Sequence, residues 1–258
     1  MERRRHVRLR NERVLMTGGA GGIGSLIAES LIKGGANLTV IDRAAALPYD
    51  ARLIRGDLST LEGLETVAAT TAAEPWDILI NLAGVQHFGP FGAQSGDALV
   101  TTYMVNLIAP ARLVQAVLPC MRERRHGRIV NIGSIFGSIN FAHFVSYSSS
   151  KSGLHALSQG LRRELAGSGV RVIYVAPRAV NTPLNSPLVR EFAKQTKMTM
   201  DEPKRVARRI VKAIVRCERE AYLGFPESLF VRVNALAPSL VDGALAANDQ
   251  RAAKLFVA

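Results

Sequence analysis

The run Thr17-Gly18-Gly19-Ala20-Gly21-Gly22-Ile23-Gly24 constrains this chain more than any other segment. It follows Val14-Leu15-Met16, which reads as a short buried strand, and leads into Ile23 to Ile32, whose apolar spacing is helical. A glycine-dense turn between strand and helix removes the Cβ atoms that would hold an anion away from the helix N-terminus. The free amides and positive dipole end found there stabilise a diphosphate. A tight turn with no ligand is the plain alternative, and the rest of the chain has to decide between the two.

Strand and helix patterns alternate along the sequence, which argues for a parallel sheet covered on both faces. Further strands are expected at Asn37 to Ile41, Arg52 to Gly56, Trp76 to Asn81, Gly127 to Ile132, Val170 to Val175 and, at an edge, Ala221 to Leu223. A long helical pattern runs from Asp97 to Met121, and Pro110 within it predicts a bend or break. Tyr147 to Leu165 and Val206 to Val215 read as further helices. The expected fold class is α/β: a single doubly wound Rossmann-type domain, its central parallel sheet of about seven strands flanked by helices on both faces. Within the 258 residues, 1–11 are expected to form a flexible basic arm and 12–225 the domain. A mobile substrate lid is expected at 178–202, and 226–258 form an extension packing on the domain or on a partner.

The net charge of +12 gathers in the arm, in Arg122 to Arg128 and in Lys194 to Arg219. Such a field attracts nucleic acid, an anionic membrane surface or an acidic carrier protein. No nucleic-acid motif accompanies it and aromatics are not interleaved with it, so sequence-specific nucleic-acid binding is not expected. No apolar stretch is expected to reach the roughly 18–20 residues needed to cross a bilayer, and no signal-like segment follows Arg3-Arg4-Arg5. Cys120 and Cys217 are far apart and lack ligand spacing, so no metal site is expected and a reduced compartment is. The expected location is cytoplasmic, with peripheral membrane contact left open.

Open sheets of this kind bind ligands beyond the carboxyl ends of their strands. Asp42 ends the second strand 18 residues past Gly24, where an acid can accept hydrogen bonds from an adenosine ribose. Asp57 after the third strand is either a turn residue or a partner for an adenine amino group. Asn81-Leu82-Ala83-Gly84 after the fourth offers small residues beside a nucleotide. Tyr147 and Lys151 lie four apart, hence on one helical face, and Ser134 ends the fifth strand 13 residues before Tyr147. A phenol has a pKa near 10, and an ammonium within about 4–6 Å favours its ionised form.

In the order and spacing of these pieces the chain resembles the short-chain dehydrogenase/reductase family from about Asn11 to Ala221. The matching residues are Thr17-Gly18, Gly22-Ile23-Gly24, Asp57, Asn81-Leu82-Ala83-Gly84, Asn106, Ser134, Tyr147 to Lys151, and Pro177 with Thr182. The resemblance implies catalytic roles for Asn106, Ser134, Tyr147 and Lys151. Tyr147 would be the acid or base and Lys151 would hold the nicotinamide ribose. Ser134 would donate to the substrate oxygen, and Asn106 would hold a water in a proton relay. It implies a dinucleotide site made by Gly18, Gly22, Ile23, Gly24, Asp42, Arg43, Asp57, Leu58, Asn81, Ala83, Gly84, Tyr147, Lys151, Pro177 and Thr182.

Asp42 resembles NAD-preferring members, whereas Arg43 beside it would suit the 2′-phosphate of NADP; the balance favours NAD. Arg178 replaces a common glycine and is expected to point to solvent or to serve the structure. Phe88, Phe91, Phe136, Phe141, Phe144, Leu184 and Leu188 point to a hydrophobic acyl, steroid-like or aromatic carbonyl or alcohol substrate. The expected activity is interconversion of a ketone and a secondary alcohol by hydride transfer. A 3-ketoacyl-carrier-protein reductase-like enzyme and a non-catalytic dinucleotide-sensing scaffold are the alternatives. Leu229, Phe230, Val233 and Leu236 are expected to share one apolar helix face. By analogy a homodimer or homotetramer is expected, and contact with an acidic acyl carrier stays open.

Overall fold

The computed structural model describes residues 9–256. Its seven-stranded sheet has the order β3-β2-β1-β4-β5-β6-β7, every pair parallel. The strands are β1 (Arg13–Thr17), β2 (Asn37–Asp42), β3 (Arg52–Arg55), β4 (Ile78–Asn81), β5 (Gly127–Ile132), β6 (Val170–Pro177) and β7 (Glu220–Leu223). Val14, Leu15 and Met16 in β1 and Ile78, Leu79 and Ile80 in β4 are all fully buried. Unbroken apolar runs, without polar alternation, suit parallel strands covered on both sides.

The period of two divides those residues between two layers. Val14 and Met16 join Ile27 and Leu31 of α1 (Gly22–Lys33) and Ile210 and Ile214 of α7 (Pro203–Arg216). Leu15 and Leu79 instead meet Leu64 and Val67 of α2 (Leu61–Ala72) and Leu113 and Val117 of α4 (Ala109–Glu123). The remaining helices are α3 (Gly96–Tyr103), α5 (Val145–Glu164), α6 (Pro187–Gln195), α8 (Glu227–Leu236) and α9 (Pro238–Lys254). On α7 the basic run becomes one solvated stripe: Lys204, Arg208, Lys212 and Arg216 are exposed, opposite buried Val206, Ile210 and Ile214.

Strand order reverses between β2 and β4 on either side of β1, which opens a crevice at the carboxyl ends of the strands. Several expectations need correction. The long helix is two, α3 and α4, joined by a π-helical segment over Met104–Ile108. Pro110 is the second residue of α4, where its missing N–H costs nothing to α4 itself, so the irregularity falls just before it. Together α3 to α4 form a 28-residue run apolar enough to cross a bilayer, contrary to the reading that none exists; it packs against the sheet through Leu113, Val114, Val117 and Met121. The lid contains the nine-residue helix α6. Trp76 precedes β4 and is held by an indole N–H to the Thr71 carbonyl at 2.8 Å.

Residues 1–8 of the expected arm lie outside the described residues, but residues 9–11 belong to the fold. Leu9 is fully buried and its N–H donates to Gly34, while Asn11 donates to Gly35. In the extension, Val231 and Val241 are buried with Ile135 and Ile139, so α8 and α9 lie on their own domain.

Candidate active site

A cavity of about 580 Å³ runs from the glycine turn past the ends of β2, β4 and β5 to Tyr147 and the lid. At its first end the turn between β1 and α1 needs glycine for two different reasons. Gly18 and Gly22 have φ of +74° and +57°, in the left-handed region. A Cβ on Gly24 would sit 2.1 Å from the Gly18 carbonyl oxygen, so α1 can press on the turn only without a side chain there. The N-terminus of α1 has no side-chain cap and no acid in its first turn. The Gly24 amide bonds Gly21 O at 2.9 Å, and the amides of Gly22 and Ile23 are left, among the described residues, for an outside acceptor, which is what a dinucleotide diphosphate provides. Tyr49 supports the turn from below, its hydroxyl donating to Gly19 O at 2.7 Å, and burial raises that phenol to about 12.

Asp42 lies at the cavity wall, and its carboxylate is fixed by amides of Ala20 (3.0 Å) and Ala44 (3.1 Å). Arg43, Asp57 and Leu58 line the same end. Asp57 accepts from the Ser59 hydroxyl and amide, and these bonds, the hydroxyl first, hold its carboxyl below the usual range. Ile23, Ala83, Gly84, Pro177 and Thr182 also face the cavity, with Thr182 of the lid lying over Gly22. Thr17 accepts from the amides of Leu82 and Ala83, both at 3.0 Å, binding the end of β1 to the end of β4.

Asn81 is a correction. It is almost fully buried within the sheet and does not line the cavity. Its amide donates to Asn131, which in turn donates to Ser158 of α5. Asn81 is the last residue of β4 and still points into the layer under α5, whereas Ala83 and Gly84 lie past the strand end and face the crevice. Arg178 serves the structure: it grips Asp201 with two bonds of 2.9 Å and Glu227 at 2.8 Å, tying the lid to α8. The Asp201 bonds, foremost, push its pKa up.

Ser134, Tyr147 and Lys151 all reach the cavity wall, and all three are buried. Ser134 is set by the turn after β5, where its oxygen accepts the Phe136 amide at 3.1 Å. Lys151 Nζ donates to the Ile132 carbonyl at 3.0 Å and stands 5.9 Å from the centre of the Tyr147 ring. The expected acidic phenol is not found in the protein by itself. Burial pushes Tyr147 up, against a smaller pull from the Ser134 hydroxyl, and lowers Lys151 to about 8. Desolvation outweighs the mutual influence of the two groups because both are withdrawn from water.

Asn106 is fully buried and absent from the cavity lining. Its side chain brackets Val85, accepting from the amide and donating to the carbonyl at 2.9 Å each, and donates to Ser150. Its own carbonyl is in a different situation. It lies in the π-helical segment, where the bonding steps five residues instead of four, as from the Ala109 N–H to Met104 O.

Sequence reading also missed wall residues that only the fold brings near, among them Val105 of the π-helical segment, Val189 of α6 and Met198. Their sole prior signal was an apolar character shared with many core positions.

A family model described as short chain dehydrogenase matches residues 12–192. The chain belongs to this family. It is accordingly an NAD(P)-binding oxidoreductase with a Rossmann fold. It is 32% identical to a protein named Ketoacyl reductase HetN from Nostoc sp., over 91% of this chain and 88% of that one. It is 36% identical to a 2,3-dihydroxy-2,3-dihydro-p-cumate dehydrogenase from Pseudomonas putida, over 67% and 73% of the respective chains. Among solved structures, a short-chain dehydrogenase from Streptomyces avermitilis superposes with a TM-score of 0.75 at 29% identity, covering 93% of this chain and 96% of that one. A Burkholderia cenocepacia short chain dehydrogenase in complex with NADP shares the fold, with a TM-score of 0.78 at 21% identity over 92% and 98% of the two chains.

Proposed function

We propose that this enzyme interconverts a ketone and a secondary alcohol on a hydrophobic substrate, with NAD(H) as the preferred dinucleotide. The observation that carries the reading is the meeting of Ser134, Tyr147 and Lys151 on one wall of the crevice that starts at the glycine turn. The bound nicotinamide supplies or accepts the hydride.

The protein's own groups handle the proton and the oxygen. Burial keeps the Tyr147 phenol protonated across the neutral range, which suits donation to a carbonyl oxygen as it gains charge. Ser134 accepts the Phe136 amide on one lone pair, and its hydroxyl proton is the donor we assign to the same substrate oxygen. Lys151 carries up to three donors, one of them committed to Ile132, so the others are available for ribose hydroxyls. Because the π-helical register interrupts regular α-helical bonding around residue 106, the Asn106 carbonyl is the acceptor we assign to the relay water, in place of the fully engaged side chain.

NAD preference is supported by Asp42, whose fixed carboxylate would repel a 2′-phosphate at the same end of the cavity. The substrate end is walled by Phe136, Phe144, Val189 and Met198, which supports an apolar ligand. The resemblance to a protein named as a ketoacyl reductase makes keto-acyl compounds the first class to screen.

The test begins with titration of NAD and NADP, followed by turnover of keto-acyl, steroid and aromatic ketones with the tighter one. Tyr147→Phe is expected to lower kcat by about 10²–10⁴-fold while dinucleotide affinity is unchanged. Retained turnover in that variant, or tight dinucleotide binding with no ketone or alcohol converted by the wild type, refutes the reading.

A further inference from the structure

The substrate end of the crevice does not open to solvent behind Phe144; it is backed by the last helix of the chain. Phe144 stacks on Phe88, with ring centroids 4.5 Å apart and planes at 28°. Phe88 in turn packs on Phe192 of α6 at 5.2 Å and on Phe256, just past α9, at 5.1 Å. Phe256 also lies 5.0 Å from the ring of His143. Ala252 of α9 is fully buried in the cluster that contains Phe144, Phe192 and Tyr147. Phe144 faces the cavity, whereas Phe88, Phe192, Ala252 and Phe256 do not, so α9 backs the wall without forming its surface.

The attachment of α9 is sparse. Its buried residues are Val241 near the start and Ala252 near the end. Val241 is anchored on Ile135 and Ile139, beside Ser134, and Ala252 on the aromatic stack. The helix therefore spans from the turn after β5 to the lid, held at both ends. A stack of aromatic rings is rigid only if every ring has a neighbour on its far side, because an unsupported ring gives way into the space behind it.

We propose that the C-terminal end of α9, through Phe256 and Ala252, is a positioning element that closes the substrate cleft and limits how far a substrate can extend beyond its reacting carbon. The inference rests on the oxidoreductase reading of the same site. It assigns the protein to substrates with a short apolar substituent on that side of the carbonyl, and excludes long unbranched chains. Phe256 supports Phe88, Phe88 supports Phe144, and Phe144 is the surface the substrate meets.

The experiment uses the full chain with its preferred dinucleotide and a series of methyl ketones of increasing alkyl length. In the wild type kcat/KM is expected to fall sharply beyond a set length. Phe256→Ala leaves turnover of the shortest ketone unchanged and raises the long-to-short ratio of kcat/KM by about tenfold, the discrimination available to a few methylenes in an apolar pocket. Phe144→Ala, which removes the surface itself, moves the ratio the same way and further. A purely structural role for α9 would lower kcat for all lengths alike and leave the ratio where it was.

The corresponding secondary alcohols are also titrated calorimetrically into the enzyme–dinucleotide complex, which reads the length limit without turnover. If the wild type converts the series but the ratio is the same in Phe256→Ala, the closing role of α9 is wrong. If the wild type converts no member while alcohol binding still shows a length limit that Phe256→Ala relaxes, the oxidoreductase reading fails and the wall stands. A length limit untouched by both Phe256→Ala and Phe144→Ala in binding overturns the inference independently of catalysis.

Discussion

At the glycine turn the crevice is walled by backbone, with residues 17 to 24 supplying the geometry from one short stretch; at the aromatic end it is walled by side chains around residues 136–144 and 189–198, backed by others around 88 and 252–256. At Gly24 the first end cannot accept an extra atom: a methyl group there would lie 2.1 Å from a carbonyl oxygen. The second is a packed cluster of side chains. A cofactor shared by many reactions is met by the rigid, local end, and the variable substrate by the assembled end. Repacking a cluster costs less than moving a backbone.

That contrast is sharpest in a pair of substitutions. Gly24→Ala is expected to cost about 2–3 kcal/mol, to lower Tm by roughly 4–12 °C at this chain length, and to weaken dinucleotide binding. Phe144→Leu at the other end is expected to cost about 1 kcal/mol and to leave dinucleotide affinity alone while altering substrate preference. Equal effects on cofactor affinity from the two would break the comparison.

A smaller effect is expected within the cofactor end. Asp42→Asn removes the fixed charge and keeps an acceptor for only one of the Ala20 and Ala44 amides, which bond separate carboxylate oxygens, and is expected to raise the NADP-to-NAD ratio of kcat/KM by about tenfold, or 1.4 kcal/mol. An unchanged ratio would shift the origin of selectivity to Arg43.

A further effect, read through pH, concerns Lys151, between the two ends. Burial lowers it to about 8, from an ordinary 10.5. Between those values the unfolded chain still holds a proton that the native state has shed, so the unfolded state binds more protons and stability rises with pH. Below about 8 both states are protonated and the burial penalty is fully present. Lys151→Met removes the group, so its urea midpoint is expected to exceed that of the wild type at pH 7 and the gap to narrow by pH 10. A gap that is constant, or widens, contradicts the depressed value.

How much of this was legible in advance follows the same division. Strand positions, the break near Pro110 and the Ser134, Tyr147 and Lys151 constellation were readable because each depends on spacing within a few residues or on order along the chain. Asn81 was misassigned to the nucleotide because side-chain facing depends on where a strand ends, and its partner Asn131 is 50 residues away. Arg178 was recognised as unusual, but its grip on Asp201 and Glu227 required the lid and α8 to be in place. In the protein alone burial pushes the Tyr147 phenol up, which the Tyr147–Lys151 spacing did not foretell, since spacing conveys proximity and says nothing about burial.

From the sequence alone came the parallel α/β architecture, the phosphate-cradling turn and the identity of the groups able to move a proton. These are determined by hydrophobic period, glycine conformation and functional-group chemistry, all of which act over short stretches. Tertiary structure alone decided which of those groups lost their water, which asparagine turned inward, and that a helix from the far end of the chain stands behind the substrate wall. Desolvation and packing depend on every neighbour in three dimensions, and no local pattern encodes them.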